Sequence, residues 1–446
     1  MLLQMINRAY LYLGAILFTV FTALIISNPN FIWIYLASFT TFVLYGITIY
    51  RSTLMTNSFY TKRNLALIVL IISVVEVIIW GLVSYTIDGD IFLFSKRDGL
   101  IYHTVAMKMA NMSFIDGYNY ATDVLGYGID DVGAFIGISM VFRIIPSLIF
   151  LYFCYCIIGT ITALLVFDIG RNLLPRRYAF IAALSFSLAS FITVFYSVCL
   201  KETFMIAVIM SSFSCFMTYI RKREKKYLVL TFLFSLLVLL FRIPTSLLLI
   251  ATFGITYVLL YVKGTTAAVL IVLLSLVLCS TSLFAYTFDR YLRGGNVELI
   301  VERKNELAGE GGFVNQLADP LAALVGPFPS IKVKSLSKTS LYASGLLYRF
   351  LLCVPFFLGT YFIIKERHVK AYPFVVFFLI NAVGVAISVK GLETRLSMPH
   401  LAMMYIVSFW FLAKHDYDKL SFKISNKMQY VYFVGILGIC LLWNLR

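Results

Sequence analysis

Charge is scarce in this chain, and acid is scarcer still. Of 446 residues only 13% are Asp, Glu, Lys or Arg, and 21 acids stand against 37 bases. A soluble body usually carries about 25% charged residues, so this chain is short of the groups that would face water. Cysteine offers no framework. The seven thiols (Cys154, Cys156, Cys199, Cys215, Cys279, Cys353 and Cys440) sit in or at the ends of apolar segments. They read as small core residues, with neither a disulfide pattern nor zinc spacing. A Gly-rich phosphate loop, an HExxH helix and a GxSxG elbow are all missing. The basic loops are too short for a nucleotide-binding domain, which argues against an ATP-driven pump.

What is present is apolar. Residues of that kind make up 61% of the chain and come in blocks of about 15–23, close to the length of about 20 that crosses a bilayer as a helix. The blocks lack period-2 alternation, so helices rather than barrel strands must satisfy the backbone. The pattern predicts an all-α polytopic integral membrane protein, a single membrane domain over 1–446 with about 12–13 transmembrane helices. Thirteen segments run from 9–27 to 429–445, among them 65–86, 178–199, 227–241 and 244–262. Pro244 makes the last two either separate spans or one kinked helix. The first segment lacks an A-x-A-like cleavage site and is followed directly by a second, so it reads as a span rather than a removed leader.

Alternate loops are basic. Together with Arg8 they hold 20 Lys and Arg against 5 acids, whereas the rest of the chain holds 17 against 16. The positive-inside rule places the basic loops, and the amino terminus, in the cytoplasm. The net charge of +16 is thus a topology signal and no nucleic-acid footprint, and no nucleic-acid partner is expected. Two loops on the other side, 87–144 and 286–346, are too long to be mere connectors.

The first of these loops contains Asp98, Tyr102 and His103. From Asp98 onward Ile101, Val105, Met109 and Met112 recur at helical spacing, with Asp98 and Tyr102 on the same face. Two readings of Asp98 stay open. One is helix capping through Ser95-x-x-Asp98. The other is a base whose partial burial suits it to proton abstraction. His103 lies round the helix and reads as an interfacial residue. Asp116 to Asp123, with Asp130 and Asp131, reads as an exposed turn-rich loop without EF-hand spacing.

Single charges then mark the outer ends of spans: Lys201-Glu202, Arg242 before Pro244, and the connector Lys390 to His400 with Glu393 and Arg395. Each alone reads as a snorkelling or capping residue. Together Lys201, Arg242 and Arg395 suit a phosphate or pyrophosphate at headgroup level. Glu76, mid-span, either pairs with one of these bases or lines a cavity. The second long loop opens with Arg290 and Arg293, passes through a charged run from Glu298 to Glu310, and closes on Gly326-Pro-Phe-Pro329.

At these residues the chain resembles the bacterial O-antigen and polysaccharide repeat-unit polymerases (Wzy type). It is more distantly similar to multispanning glycosyltransferases of the GT-C class. The resemblance rests on Asp98-x-x-x-Tyr102-His103, Lys201-Glu202, Arg242, Gly326-Pro-Phe-Pro329 and Arg395-x-x-x-Pro399. It covers most of the chain as a pattern of spans and loops. The chain departs from the GT-C pattern in that its acidic loop follows the third span rather than the first.

The resemblance implies an enzyme of the bacterial inner membrane that joins undecaprenyl-diphosphate-linked glycan units into surface polysaccharide or lipopolysaccharide. It implies no metal and no other cofactor, membrane lipid as surroundings, and a chain-length regulator as a possible partner. In that frame Lys201, Arg242 and Arg395 hold pyrophosphate. Asp98 is the leading base, Glu202 and Glu393 are alternates, and His400 is auxiliary. Tyr102, His103, Arg290 and Arg293 contact the acceptor. Two other readings compete: a transferase using a polyprenyl-phosphate sugar, and a transporter or flippase of lipid-linked glycan. Against the last stand the lack of an internal repeat and the outer placement of the polar residues.

Overall fold

The computed structural model describes residues 2–27, 29–92, 98–125, 128–262, 341–387 and 394–417, with positions 434 and 438. Among them every regular element is helical, and seven helices are long and apolar enough to cross a membrane, eight if one bent pair counts as a single span. The chain is an all-α, polytopic membrane protein. The predicted segments at 267–285 and 429–445 lie outside the described residues, apart from the two isolated positions. So do Arg290, Arg293, Glu393, the charged run and Gly326–Pro329.

Fifteen described α-helices follow one another: α1 (Leu2–Ser27), α2 (Ile32–Thr53), α3 (Lys62–Asp88), α4 (Asp98–Ala110), α5 (Phe114–Asn119), α6 (Ile129–Ile144), α7 (Leu148–Gly170), α8 (Arg176–Ser187), α9 (Ser190–Ser197), α10 (Glu202–Lys222), α11 (Lys225–Leu237), α12 (Ile243–Tyr261), α13 (Ala343–Lys365), α14 (Tyr372–Ile387) and α15 (Thr394–Tyr417). Local chemistry sets their ends. Thr61 caps α3 by accepting from the Asn64 N–H at 3.1 Å, and Gly89, at φ 68°, closes it in the left-handed conformation that glycine adopts without strain. Pro244 occupies the first turn of α12, where its missing N–H leaves no helical bond unmade. Segments 227–241 and 244–262 are therefore two elements separated by a turn, not one kinked helix.

Two expectations need correction. The segment 178–199 is not one straight span: it breaks after Ser187 and bends by 47° into α9. Every residue from Tyr178 to Leu200 is buried, so the break lies inside protein, where irregular backbone at membrane depth is tolerated. Asp116 to Asp123 is not turn-rich either, and Asp130 and Asp131 stand in the first turn of α6. Ser113 caps α5 by accepting from the Asp116 N–H at 3.1 Å, and a π-turn over Tyr120–Val124 continues it. α6 then packs along α4 and against α7.

Contacts between helix ends divide the bundle into two poles. At the basic pole Lys62 meets Asp168 at 2.6 Å, Arg177 donates to the Thr53 carbonyl at 2.6 Å, and Lys414 pairs with Glu366. At the opposite pole the Tyr152 hydroxyl donates to the Ile91 carbonyl at 3.1 Å. Between the poles lies a core of α8, α9, α13 and α15 in which Arg349, Tyr348, Tyr405 and His400 are fully enclosed.

Candidate functional site

At the opposite pole two acid–base pairs meet. Lys201, the last residue before α10, pairs with Asp131 in the first turn of α6. Its neighbour Glu202 accepts from Arg242 Nη2 at 3.2 Å. The four side chains are mostly enclosed, with Glu202 at 1% exposure and Arg242 at 13%. Lys201 and Glu202 do not neutralise each other, as neighbours diverging round a helix should not, and each finds its own partner.

The backbone explains why these groups meet. Glu202 stands in the first turn of α10, where a carboxylate is favoured by the helix dipole. Arg242 is extended (φ −165°) in the turn between the 3-10 segment Val238–Leu240 and α12. α6 reaches that turn because residue 133 is glycine: a Cβ there would stand 2.7 Å from the Leu240 carbonyl oxygen. One turn on, Gly137 lets α6 lie against Phe204. Such small-residue spacing is how membrane helices approach closely.

The site is recessed. Phe204 packs edge-on against Tyr155 with centroids 5.1 Å apart, and Tyr155 lies seven residues inside the start of α7, a depth of about 10 Å. Among the described residues Glu202 Oε2, the Tyr155 hydroxyl and Thr203 Oγ1 are buried without hydrogen-bond partners.

α4 and α6 run side by side in the same direction: Tyr102 packs on Phe135, His103 on Phe142, and Arg143 donates to the Met109 carbonyl at 3.1 Å. Stepping back one turn from Tyr102 and Phe135 brings Asp98 and Asp131 to matching positions at the heads of the two helices. Asp98 therefore belongs to the pole that carries the ion pairs. Of the predicted stripe Val105 and Met109 are buried, with Tyr102, Ala106 and Gly99 beside them, whereas Ile101 is only partly buried and Met112 lies beyond the helix end. His103 is half-buried between Phe92 and Phe142, and burial lowers its pKa.

His400 is placed otherwise. It is fully buried in α15, its Nδ1 2.6 Å from Asn381 Nδ2 and its ring edge-on to Phe378. Arg349, stacked 5.3 Å from the Phe191 ring, lies within electrostatic reach of it. Arg395 stands in the first turn of α15, with its side chain outside the described residues. Two of the three predicted cations, Lys201 and Arg242, are thus brought together. Among the described residues Glu76 pairs with neither Lys201 nor Arg242 and receives the Thr193 hydroxyl instead.

Sequence reasoning missed Asp131, which was read as part of an exposed loop. It also missed Arg349, which an apolar run conceals. The G-x-x-x-G spacing at Gly133 and Gly137 was the signal that would have moved Asp131 from solvent to a packed helix. Among the described residues no group of three His, Cys, Asp or Glu is arranged to hold a metal ion.

Compared with known proteins, the chain matches no family model and no curated sequence. Two cations and two carboxylates in a recessed pole can bind an anion by partner exchange: an incoming phosphate takes the cations, and the carboxylates released become proton acceptors.

Proposed function

We propose that this chain polymerises undecaprenyl-diphosphate-linked oligosaccharide units at the outer face of the bacterial cytoplasmic membrane, with its amino terminus inside. The observation that carries the reading is the joining of Lys201–Asp131 and Glu202–Arg242 at the pole away from the basic loops. A charge at membrane depth is expensive, and four at one spot need a purpose.

In this reading the donor's diphosphate displaces Asp131 and Glu202 from Lys201 and Arg242. An acceptor hydroxyl oxygen attacks the donor's anomeric carbon while the bond to the diphosphate oxygen breaks. The electron pair leaves with the lipid diphosphate, and the hydroxyl proton passes to a carboxylate. Glu202 and Asp98 are the candidates for that base. Positive charge fixed where negative charge develops is the main catalytic contribution. Membrane lipid supplies the approach, and a chain-length regulator is a fitting partner.

The test must respect the burial of Glu202, because Arg242→Ala leaves an uncompensated buried charge, a change worth about 3–5 kcal/mol. Arg242→Lys keeps the charge and removes the bidentate fork. Long polymer should fall roughly 10²–10³-fold in Arg242→Lys and in Lys201→Gln, with membrane protein levels unchanged. Surface glycan would then collapse to single repeat units on a gel. Full-length polymer in both variants overturns the reading. A polymer of normal length but altered sugar content identifies a single-sugar transferase instead.

A further inference from the structure

α10 crosses the bundle from pole to pole. Glu202 opens it beside the ion pairs, and Lys222 closes it 21 residues on, at the basic pole. Residues 221–226 there hold five cations, Arg221, Lys222, Arg223, Lys225 and Lys226, around one acid, Glu224. Lys226 takes that acid at 2.6 Å, and Lys222 acts on it electrostatically. Arg221, Arg223 and Lys225 pair with no acid among the described residues.

Arg223 is the least expected of the three. It follows α10 in the left-handed conformation, at φ 62°, and its N–H closes the helix on the Tyr219 carbonyl at 2.8 Å. Glycine is the residue that takes this position without strain. A non-glycine residue held there is a mark of positions where a side chain is presented to a ligand. The Arg223 guanidinium lies 4.4 Å from the centroid of the Tyr261 ring, at the end of α12. That ring stands beside those of Tyr257, 4.7 Å away, and Tyr219, 6.5 Å away. Lys222 and Lys226 lie over a fourth tyrosine, Tyr227, at 5.5 and 5.2 Å. Tyrosines and cations together are the side chains favoured at the headgroup level of a bilayer.

Toward the membrane interior the adjoining surface is apolar and uncovered. Val229, Phe232 and Leu233 of α11 are exposed, one to two turns beyond Lys225, and so are Tyr257 and Leu259 of α12. Unpaired cations backed by aromatic rings, next to a bare apolar face, match a molecule with phosphate at one end and hydrocarbon at the other. Soluble phosphate would use only the polar half. Basic clusters beside membrane helices attract anionic headgroups, and Arg binds phosphate through two parallel hydrogen bonds.

We propose that the corner formed by the end of α10, the start of α11 and the end of α12 is a binding site for an anionic phospholipid. The lipid's phosphate rests on Arg223 beside Tyr261, Arg221 and Lys225 supply the surrounding positive field, and an acyl chain lies along the exposed face of α11. The site is at the pole opposite the two ion pairs and stands whether or not the chain polymerises glycans.

The full-length protein, in mild detergent, is mixed with dioleoyl phosphatidylglycerol or dioleoyl phosphatidylcholine, and bound lipid is counted by native mass spectrometry. Phosphatidylglycerol should be held roughly tenfold more tightly than phosphatidylcholine. Arg223→Gly with Lys225→Gln should abolish that preference, while the thermal midpoint holds or rises because glycine suits the turn. Arg51→Gln with Arg63→Gln removes the same charge from exposed residues elsewhere at the basic pole and should leave the preference intact. Equal loss in the two double variants, or no loss in the first, overturns the site. Soluble glycerol phosphate should not compete at the same concentration; if it does, a lipid is not the ligand. Photolabelling of the unaltered protein covers the case of a variant that does not fold. Phosphatidylglycerol with a diazirine on its acyl chain should mark residues 229–233 in preference to the exposed face of α1. Uniform labelling of both also overturns the proposal.

Discussion

A single methyl group separates two kinds of glycine in this protein. At Gly133 it would meet backbone, the Leu240 carbonyl oxygen at 2.7 Å, whereas at Gly81 nothing lies within 4 Å. Gly133→Val should therefore lower the thermal midpoint in detergent, by an overpacking penalty of about 1–3 kcal/mol, and with it loosen Asp131 from Lys201. Gly81→Ala should be neutral or stabilising by up to about 1 kcal/mol, since glycine is a poor interior helix residue. Equal midpoints in the two variants would remove Gly133 as the reason α6 reaches the site.

His103 adds a pH test at the same scale. Burial between two phenylalanines lowers its pKa from 6.5, so as pH falls the unfolded chain takes up the proton before the folded one does. Its contribution to stability is complete above about pH 6.5 and is lost progressively below it. Between about pH 7.5 and pH 5 the thermal midpoint should fall more steeply in the native protein than in His103→Phe; parallel profiles would contradict this.

At the scale of elements, the unit α4–α6 depends on one arginine. Arg143 Nη2 donates to the carbonyls of Met109 at 3.1 Å and Met112 at 2.5 Å, and its guanidinium lies 4.2 Å from the Phe114 ring centroid. It adds a second donor to the Met109 carbonyl, which already accepts from the Met112 N–H at 3.1 Å, and supplies one to the Met112 carbonyl just past the end of α4. Arg143→Gln should raise amide exchange over residues 98–125 while α7 and α10 stay protected. An unchanged exchange map would show that the helix pair stands without it. The α8–α9 bend is a different matter. Ser, Ala and Leu at positions 187–190 carry neither Pro nor Gly, so nothing local announces the break. It exists because the α3 and α13 surfaces on either side accept two short helices better than one straight rod. Gly345 N–H donates to Ser190 Oγ at 3.2 Å on one side, and Thr193 reaches Glu76 on the other.

Across the whole molecule the two poles differ in charge, and that difference is a statement about the membrane. Ser58→Cys, at the basic pole, should be shielded from a membrane-impermeant maleimide in intact cells. Ile115→Cys, 74% exposed in α5, should react. The reverse pattern would invert the chain and remove the polymerase reading with it, because the ion pairs would then face the cytoplasm.

Apolar length, basic-loop alternation and helical spacing were properties of the sequence alone. They sufficed for the fold class and for marking Lys201, Glu202 and Arg242 as charges too expensive to be idle, whereas of the 12–13 expected spans the described residues show seven, or eight with the bent pair. Those signals are local and additive: lipid selects each run of about 20 apolar residues whatever its neighbours do. Pairing is neither local nor additive. Asp131 looked like one more acid in a polar loop, and only the approach of α6 to Leu240 put it against Lys201. The chain offers Glu76 several cations, and the bend after Ser187 gave it a threonine instead. A charge in a low-dielectric interior takes whichever partner packing brings within reach, and that choice is made by helices far apart in the chain.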